Sequence, residues 1–96
     1  MGKHERYKEI IDNIQNLLDY ERTILFYILD NEPCIKEQIY SKTIESFRIT
    51  KNDFNTAIDH LINEGLIKKD KNNRYNSNPE VIGAFGYSID CKNGIE

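Results

Sequence analysis

The sequence predicts a mainly α domain that carries one small β-hairpin, an α+β fold. Before Gly65, apolar residues recur at helical spacing in several segments. After Gly65, two short segments that can form strands lie on either side of a polar turn. The 96 residues are 39% apolar and 30% charged, which is enough for one small core and too little for a second. We therefore expect one globular unit with a single core.

Residues 1–18 are predicted to form an N-terminal amphipathic helix. Between Glu5 and Leu18, the apolar side chains fall within an arc of about 120° on a helical wheel. Such a stripe can fold back onto its own chain, or it can pair with a second copy in a homodimer. The sequence leaves both arrangements open.

The second helix is predicted to be the central one. Asp19 is a suitable N-cap for a helix from Tyr20 to about Leu29, because its carboxylate can accept from the free N–H groups of the first turn. The apolar residues of this helix point in every direction, so it should be the most buried. The helix is expected to end before Pro33, since the residue that precedes a proline is pushed out of the α region.

A short strand and a third helix are expected next. Cys34 and Ile35 can be extended, residues 36–42 can form a short helix, and residues 43–49 are predicted to be a turn.

The fourth helix has the clearest boundaries. Residues 50–53, Thr-Lys-Asn-Asp, resemble a capping box, so the helix should begin at Lys51. Gly65 supplies the left-handed residue that ends such a helix. The apolar positions between these two signals recur at helical spacing: Phe54, Ala57, Ile58, Leu61 and Ile62.

A hairpin is predicted after Gly65. Residues 66–70 and 74–76 can form its strands, because the residues between them are polar and include asparagines, which tolerate positive φ. The last segment, residues 79–96, is mildly apolar at first and polar at its end. It is expected either to pack as an accessory segment or to form a mobile tail.

The sequence offers little support for an enzyme, a metal site or a membrane protein. Cys34 and Cys91 form no CxxC pair, and His60 has no second ligand at metal spacing. No nucleophile, base and oxyanion site can be assembled, so we expect neither catalysis nor a cofactor. The longest apolar run, Ile24–Leu29, covers six residues, whereas a membrane span needs about twenty. We expect a cytoplasmic protein without a membrane span or a secretory signal.

The order of these elements resembles that of the winged helix-turn-helix DNA-binding superfamily. The most specific stretch is Phe54–Lys69, in which apolar positions at helical spacing lead to Gly65, then to Leu66-Ile67 and to basic residues. The resemblance implies a winged-helix domain over residues 19–78 with an extra helix before it. It also implies that the fourth helix, the recognition helix, lies in the major groove of DNA, while the hairpin, or wing, touches the adjacent phosphates or minor groove.

The residues that such a domain would use for DNA fall into two groups. The outward side of the recognition helix holds no arginine, and it comprises Asn52, Asn55, Thr56, Asp59, His60 and Asn63. The side chains of Asn52, Asn55, Thr56 and Asn63 can hydrogen-bond bases, whereas Asp59 would oppose phosphate. The wing and the start of that helix hold cations for phosphate contacts: Lys68, Lys69, Lys71 and Arg74, with Arg48 and Lys51.

Charge is distributed unevenly along the chain, and this affects which functions its acidic net charge excludes. The net charge of −3 argues against a general polyanion binder. Residues 66–75, however, have four cations and one acid, a local charge of +3. The charge of the wing therefore leaves DNA binding open. The winged-helix resemblance implies a DNA-binding protein, and we expect one that regulates transcription or assists the replication of a mobile element.

Two other functions stay open. Tyr75 lies within the basic hairpin, and single-strand binders stack bases on aromatic rings beside cations. In size and composition, the chain is also similar to the small winged-helix single-stranded DNA-binding proteins of staphylococcal mobile cassettes. Alternatively, residues 19–47, with three cations and six acids, and the segment Val81–Ile89 could bind a protein partner without any DNA.

Overall fold

Five helices and a small antiparallel sheet make up the structure. It is a computed structural model that describes residues 3–94 and the side chains of residues 5–86. The elements in chain order are α1 (Lys3–Asp12), α2 (Asp19–Asn31), β1 (Cys34–Ile35), α3 (Lys36–Ser46), α4 (Lys51–Asn63), β2 (Ile67–Lys69), β3 (Arg74–Ser77) and α5 (Pro79–Gly94). None of the described helices has the length and apolar character that crossing a membrane requires.

The first helix is shorter than its apolar pattern predicts. It ends at Asp12, and residues 13–18 form turns and irregular backbone. The guanidinium of Arg22 accounts for this end, because it donates to the backbone carbonyls of Ile11 at 3.4 Å and Ile14 at 2.6 Å. A continuing helix would use these carbonyls for its own hydrogen bonds. The prediction of one helix over residues 1–18 is therefore wrong beyond Asp12.

The apolar stripe of α1 folds back onto its own chain. Ile10 and Ile11 are 4% and 0% exposed, and α1 packs against α5 and α2. Of the two arrangements that the stripe permits, the structure has the intramolecular one. A homodimer would therefore need a different surface from this stripe.

The N-cap of α2 is Leu18, so the prediction of Asp19 as the cap is wrong. Leu18 has extended backbone, and its N–H donates to Oε1 of Glu21 at 2.8 Å. Asp19 instead pairs with Arg22 on the first turn, at 3.2 Å. The expectation that α2 is central is confirmed, since its apolar core residues are almost fully buried: Ile24, Leu25, Ile28 and Leu29.

The third helix runs one turn further than predicted, to Ser46. The hydroxyl of Thr43 is buried and donates to the carbonyl of Ile39 at 2.8 Å, so this polar residue continues the helix without an unpaired group. The predicted turn over residues 43–49 is therefore shorter, and residues 47–50 alone join α3 to α4.

The capping box of α4 is confirmed. Thr50 Oγ1 accepts from the N–H of Asp53 at 3.0 Å, and Asp53 Oδ2 accepts from the N–H of Thr50 at 3.2 Å. The helix begins at Lys51, as predicted. Gly65 follows its C-terminus with a φ of +78°, a conformation that favours glycine.

The three strands pair antiparallel in the order β1-β3-β2. Tyr75 of β3 lies opposite Cys34 of β1 and Lys69 of β2, while Ile67 lies opposite Ser77. Cys34, Ile67, Tyr75 and Ser77 are buried and form the side of the sheet that faces the core.

Residues 79–94 form a helix, so the described part of the C-terminal segment packs rather than forming a tail. Ile82 is 0% exposed, and Val81 and Phe85 pack partly buried against the core. These apolar residues are therefore used within the chain and leave little for a protein partner. The side chains of residues 87–89, in the same proposed docking segment, lie outside the described residues, as does that of Cys91.

We expect one substitution to have opposite effects at two glycines of α5. A Cβ at Gly83 would meet nothing within 4 Å, so Gly83→Ala should stabilise the protein by up to about 1 kcal/mol. A Cβ at Gly86 would lie 2.5 Å from Cδ1 and 3.0 Å from Cγ1 of the buried Ile10. Gly86→Ala should therefore cost about 1–3 kcal/mol. Urea unfolding measures the difference, and equal stabilisation by both variants would contradict the packing of α1 on α5.

Candidate nucleic-acid interface

The recognition helix α4 is seated on the core by one side and exposed on the other. Its buried residues, Phe54, Ala57, Ile58 and Leu61, are no more than 2% exposed. On the opposite side of the same helix, four residues are exposed: Asn52, Thr56, Asp59 and Asn63. This division follows from the helical period, because these four residues lie about half a turn from the buried stripe. We call these four residues, together with the half-buried Asn55 beside them, the outward face.

The sequence-predicted base contacts all lie on the outward face. Among the described residues, no side-chain hydrogen bond engages Asn52, Asn55, Thr56 or Asn63. By contrast, the amides of Asn13 and Asn31 donate to helix carbonyls at 2.9 and 3.0 Å. The polar groups of the outward face are therefore available to a ligand.

His60, which the sequence places on the outward side, instead contacts α2. Its Nδ1 shares a hydrogen bond of 2.7 Å with Oε2 of Glu21, whose side chain is only 4% exposed. Its Nε2 lies 3.8 Å from Oε2 of Glu64, one turn further along α4. His60 thus ties α4 to α2 and does not face a ligand.

A crevice of about 280 Å³ opens at the start of α4, between this helix and α3. Lys51 lies at its edge, with Nζ 5.9 Å from the ring centroid of Tyr40. The ring of Tyr40 in turn packs edge-on against Phe54 at 5.1 Å. Lys36 and Asn55 also line this crevice, and the exposed Arg48 lies in the preceding turn.

The wing presents four exposed cations: Lys68, Lys69, Lys71 and Arg74. None of them forms an ion pair with another side chain in the described part of the molecule. Lys8 and Lys42 differ in this respect, because they pair with Asp30 at 2.9 Å and Glu45 at 3.3 Å. Asp70 offsets part of this charge through its electrostatic interaction with Arg74, and residues 66–75 keep a net charge of +3.

The tip of the wing is closed by Asp70. Its Oδ1 accepts from the backbone N–H groups of Asn72 at 2.8 Å and Arg74 at 3.0 Å. Asn73 takes the left-handed conformation that such a tight hairpin needs, with a φ of 62°. Because the Arg74 N–H, and then the Asn72 N–H, bind the carboxylate, the pKa of Asp70 is lowered. The only acid of the wing is thus engaged in shaping the turn.

Tyr75 does not lie on the surface of the wing. It is 4% exposed, because side chains alternate along β3 and its neighbours Arg74 and Asn76 take the outer positions. Burial, and then the nearby carboxylates of Asp59 and Glu37, raise the pKa of its hydroxyl. The prediction that Tyr75 contacts DNA by stacking on bases is therefore wrong.

A contact that the sequence did not indicate anchors the wing at its base. The carboxylate of Glu32 accepts from both the N–H and the hydroxyl of Ser77, at 2.8 and 2.9 Å. These residues are 45 positions apart, so no local pattern could reveal the pair.

The described residues show no site for metal or thiol chemistry. They contain no group of three or more His, Cys, Asp or Glu side chains placed to hold a metal ion. Cys34 is a buried free thiol. Burial, with the charge of Glu32, raises its pKa to about 11, which disfavours the reactive thiolate.

Comparison with known proteins gives one finding. A family model described as "F-93, winged-helix domain" matches residues 23–75, more than half of the chain. No curated protein and no solved structure matches. The matched range extends from α2 to β3 and contains every element of the interface described above, apart from the last residues of β3.

We expect Asp70 to hold the wing turn in a pH-dependent way. Its folded-state pKa lies below the usual value of 3.8, so it contributes stability that is fully present above about pH 4 and is lost as the pH falls further. The variant Asp70→Asn keeps an acceptor oxygen but does not titrate. The difference in free energy of unfolding between wild type and this variant should shrink below about pH 4; a difference independent of pH would contradict the role.

We also expect the contact between α2 and α4 to depend on His60. His60→Ala leaves the buried Glu21 carboxylate with only the Leu18 N–H, so it should cost about 1–3 kcal/mol of stability. The neighbouring exposed Asp59 is a matched control, and Asp59→Ala should change stability by no more than about 0.5 kcal/mol. Equal midpoints of thermal unfolding for the two variants would show that the contact does not hold α4.

Proposed function

Because the chain belongs to the F-93, winged-helix domain family, we propose that it binds duplex DNA. In the proposed complex, α4 enters the major groove and the wing contacts the phosphates beside it. The observation that carries this proposal is the charge of the wing, where four exposed cations outnumber one acid, Asp70, and form no salt bridge among the described side chains. The wing follows α4 directly, through Gly65.

The two elements would contribute differently to binding. Cations that neutralise phosphates release counterions, and they therefore supply affinity that does not depend on sequence. In the proposed complex, the outward face of α4 presents hydrogen-bonding groups to the edges of the bases. It carries only one charge, the carboxylate of Asp59. Affinity should thus come mainly from the wing, with Arg48 and Lys51 as further phosphate contacts.

In the cell, we propose that this binding regulates transcription or assists the replication of a mobile element, as the superfamily resemblance implies. Both roles need a small cytoplasmic protein that docks on a duplex. Neither needs a cofactor or catalysis.

The alternatives have weaker support. Binding of single strands would need an exposed aromatic ring in the wing on which bases can stack, and Tyr75 is buried. Binding of a protein through the segment Val81–Ile89 would need its apolar residues to be accessible, and Ile82 of this segment lies in the core. The acidic surface of residues 19–47 remains, and it carries the exposed side chains of Ile35 and Ile44. Its negative charge would repel phosphates, so duplex binding would use other surfaces.

The proposal can be tested by fluorescence anisotropy with a duplex and its separate strands, over a range of salt concentrations. We expect the wild type to bind the duplex more tightly, with an affinity that falls as salt rises. Each lost phosphate contact changes the slope of log affinity against log salt by about 0.9. The variant Lys68/Lys69/Lys71→Ala should therefore bind weakly, with a slope shallower by about 2.7.

A control separates phosphate contacts from a general loss of charge. Lys8 and Lys42 are already paired with acids outside the wing, so Lys8/Lys42→Ala should keep most of the affinity. Circular dichroism checks that all variants are folded. Absence of duplex binding, tighter binding of single strands, or equal losses in the two variants would contradict the proposal.

A further inference from the structure

The outward face of α4 has an unusual chemistry for a helix that would read DNA. It offers three amides, one hydroxyl and one carboxylate, and it has neither a guanidinium nor an ammonium group: Asn52, Asn55, Thr56, Asp59 and Asn63. Guanine presents two acceptors in the major groove, and these are matched by the paired donors of Arg or by Lys. Adenine presents one acceptor and one donor, which match the two ends of an amide.

The nearest cations do not change this chemistry. Lys51 lies at the first position of α4, where its Nζ is 5.9 Å from the ring centroid of Tyr40. Arg48 precedes the helix, and the cations of the wing follow it. In the sequence, cations therefore precede and follow the outward face of α4 but are missing from the face itself.

The position of the amides along the helix is also informative. The N-terminal residues of a recognition helix are those that contact base edges, and Asn52, Asn55 and Thr56 lie in the first two turns of α4. Asn55 is half-buried and lines the crevice against α3, so its side chain has fewer orientations to lose on binding.

Asp59 excludes guanine at its own position, although it does not by itself separate A·T from G·C pairs. It is exposed one turn beyond Asn55, and its carboxylate can only accept hydrogen bonds when ionised. It would be repelled by the two acceptors of guanine and could accept only from the amino groups of cytosine or adenine.

From these observations we infer that α4 selects sites rich in A·T pairs, through Asn52 and Asn55 reading adenine and Thr56 contacting the thymine methyl group. This inference rests on the proposed duplex binding. The preference arises in the major groove, at α4, and not from the cations of the wing in the minor groove.

Modified base pairs can locate the groove in which the preference arises. Inosine·cytosine pairs have the major-groove groups of G·C but lack the minor-groove amino group, as A·T pairs do. Three duplexes of equal length would be compared by anisotropy at one salt concentration: mixed-order A·T, the corresponding G·C, and the corresponding inosine·cytosine. We expect binding about tenfold tighter to the A·T duplex than to either of the others.

Variants then assign the preference to residues. Asn52→Ala/Asn55→Ala should reduce the A·T preference from about tenfold to about twofold while leaving the salt dependence unchanged. Asn16→Ala removes an exposed amide outside α4 and the wing, and it should leave the preference as it is. Unfolding curves check that both variants are folded.

Each outcome has a distinct meaning. Equal affinity for all three duplexes, or equal affinity for A·T and inosine·cytosine, would overturn the inference but leave duplex binding intact. An A·T preference that survives the double substitution would overturn the assignment to Asn52 and Asn55. Absence of binding to any duplex would overturn the proposed function itself.

Discussion

One buried carboxylate joins helix α4 to the start of α2. Glu21 is 3% exposed, and its two oxygens are used by different parts of the fold. Oε1 accepts from the Leu18 N–H at the start of α2, and Oε2 shares a bond of 2.7 Å with His60 of α4. A carboxylate without partners is costly to bury, so the start of α2 and the seat of α4 must form together. This contact adds to the apolar seat of α4, whose buried side decides which residues form the outward face.

Local signals predicted the parts of the fold that local hydrogen bonds define. The start of α4 at Lys51 and its end before Gly65 were predicted from the residues that make the cap and the left-handed turn. The end of α1 was not, because Arg22 fixes it through the carbonyls of Ile11 and Ile14, which are eleven and eight residues away. The N-cap of α2 is held by a local contact, from the Leu18 N–H to Glu21, but the side chain of Leu18 cannot accept a hydrogen bond and gives no capping signal in the sequence.

The polar and charged residues of the candidate site were predictable from local sequence patterns, as the ends of α4 were. The cations of the wing and the amides of α4 are exposed, since a hydrophilic hairpin and the polar side of an amphipathic helix both face solvent. Tyr75 was misjudged: the alternation Arg74-Tyr75-Asn76 is a short-range signal that the ring faces inward, and pairing of β3 with β1 completes its burial. Proximity to cations in sequence is thus weak evidence that an aromatic ring is exposed.

The acidic net charge of the protein is consistent with the proposed DNA binding once the charge of each element is considered separately. The total of −3 would limit affinity for any polyanion, which suits a protein whose contacts are few. In the proposed complex, the exposed cations of the wing, which form no salt bridge among the described side chains, supply affinity. The nearly neutral outward face of α4 supplies specificity. The most direct test of this division is to titrate isotope-labelled protein with an A·T-rich duplex and follow its amide resonances. We predict that the largest shifts fall in residues 51–63 and 68–74, whereas shifts confined to α1, α5 or residues 19–47 would contradict the proposed interface.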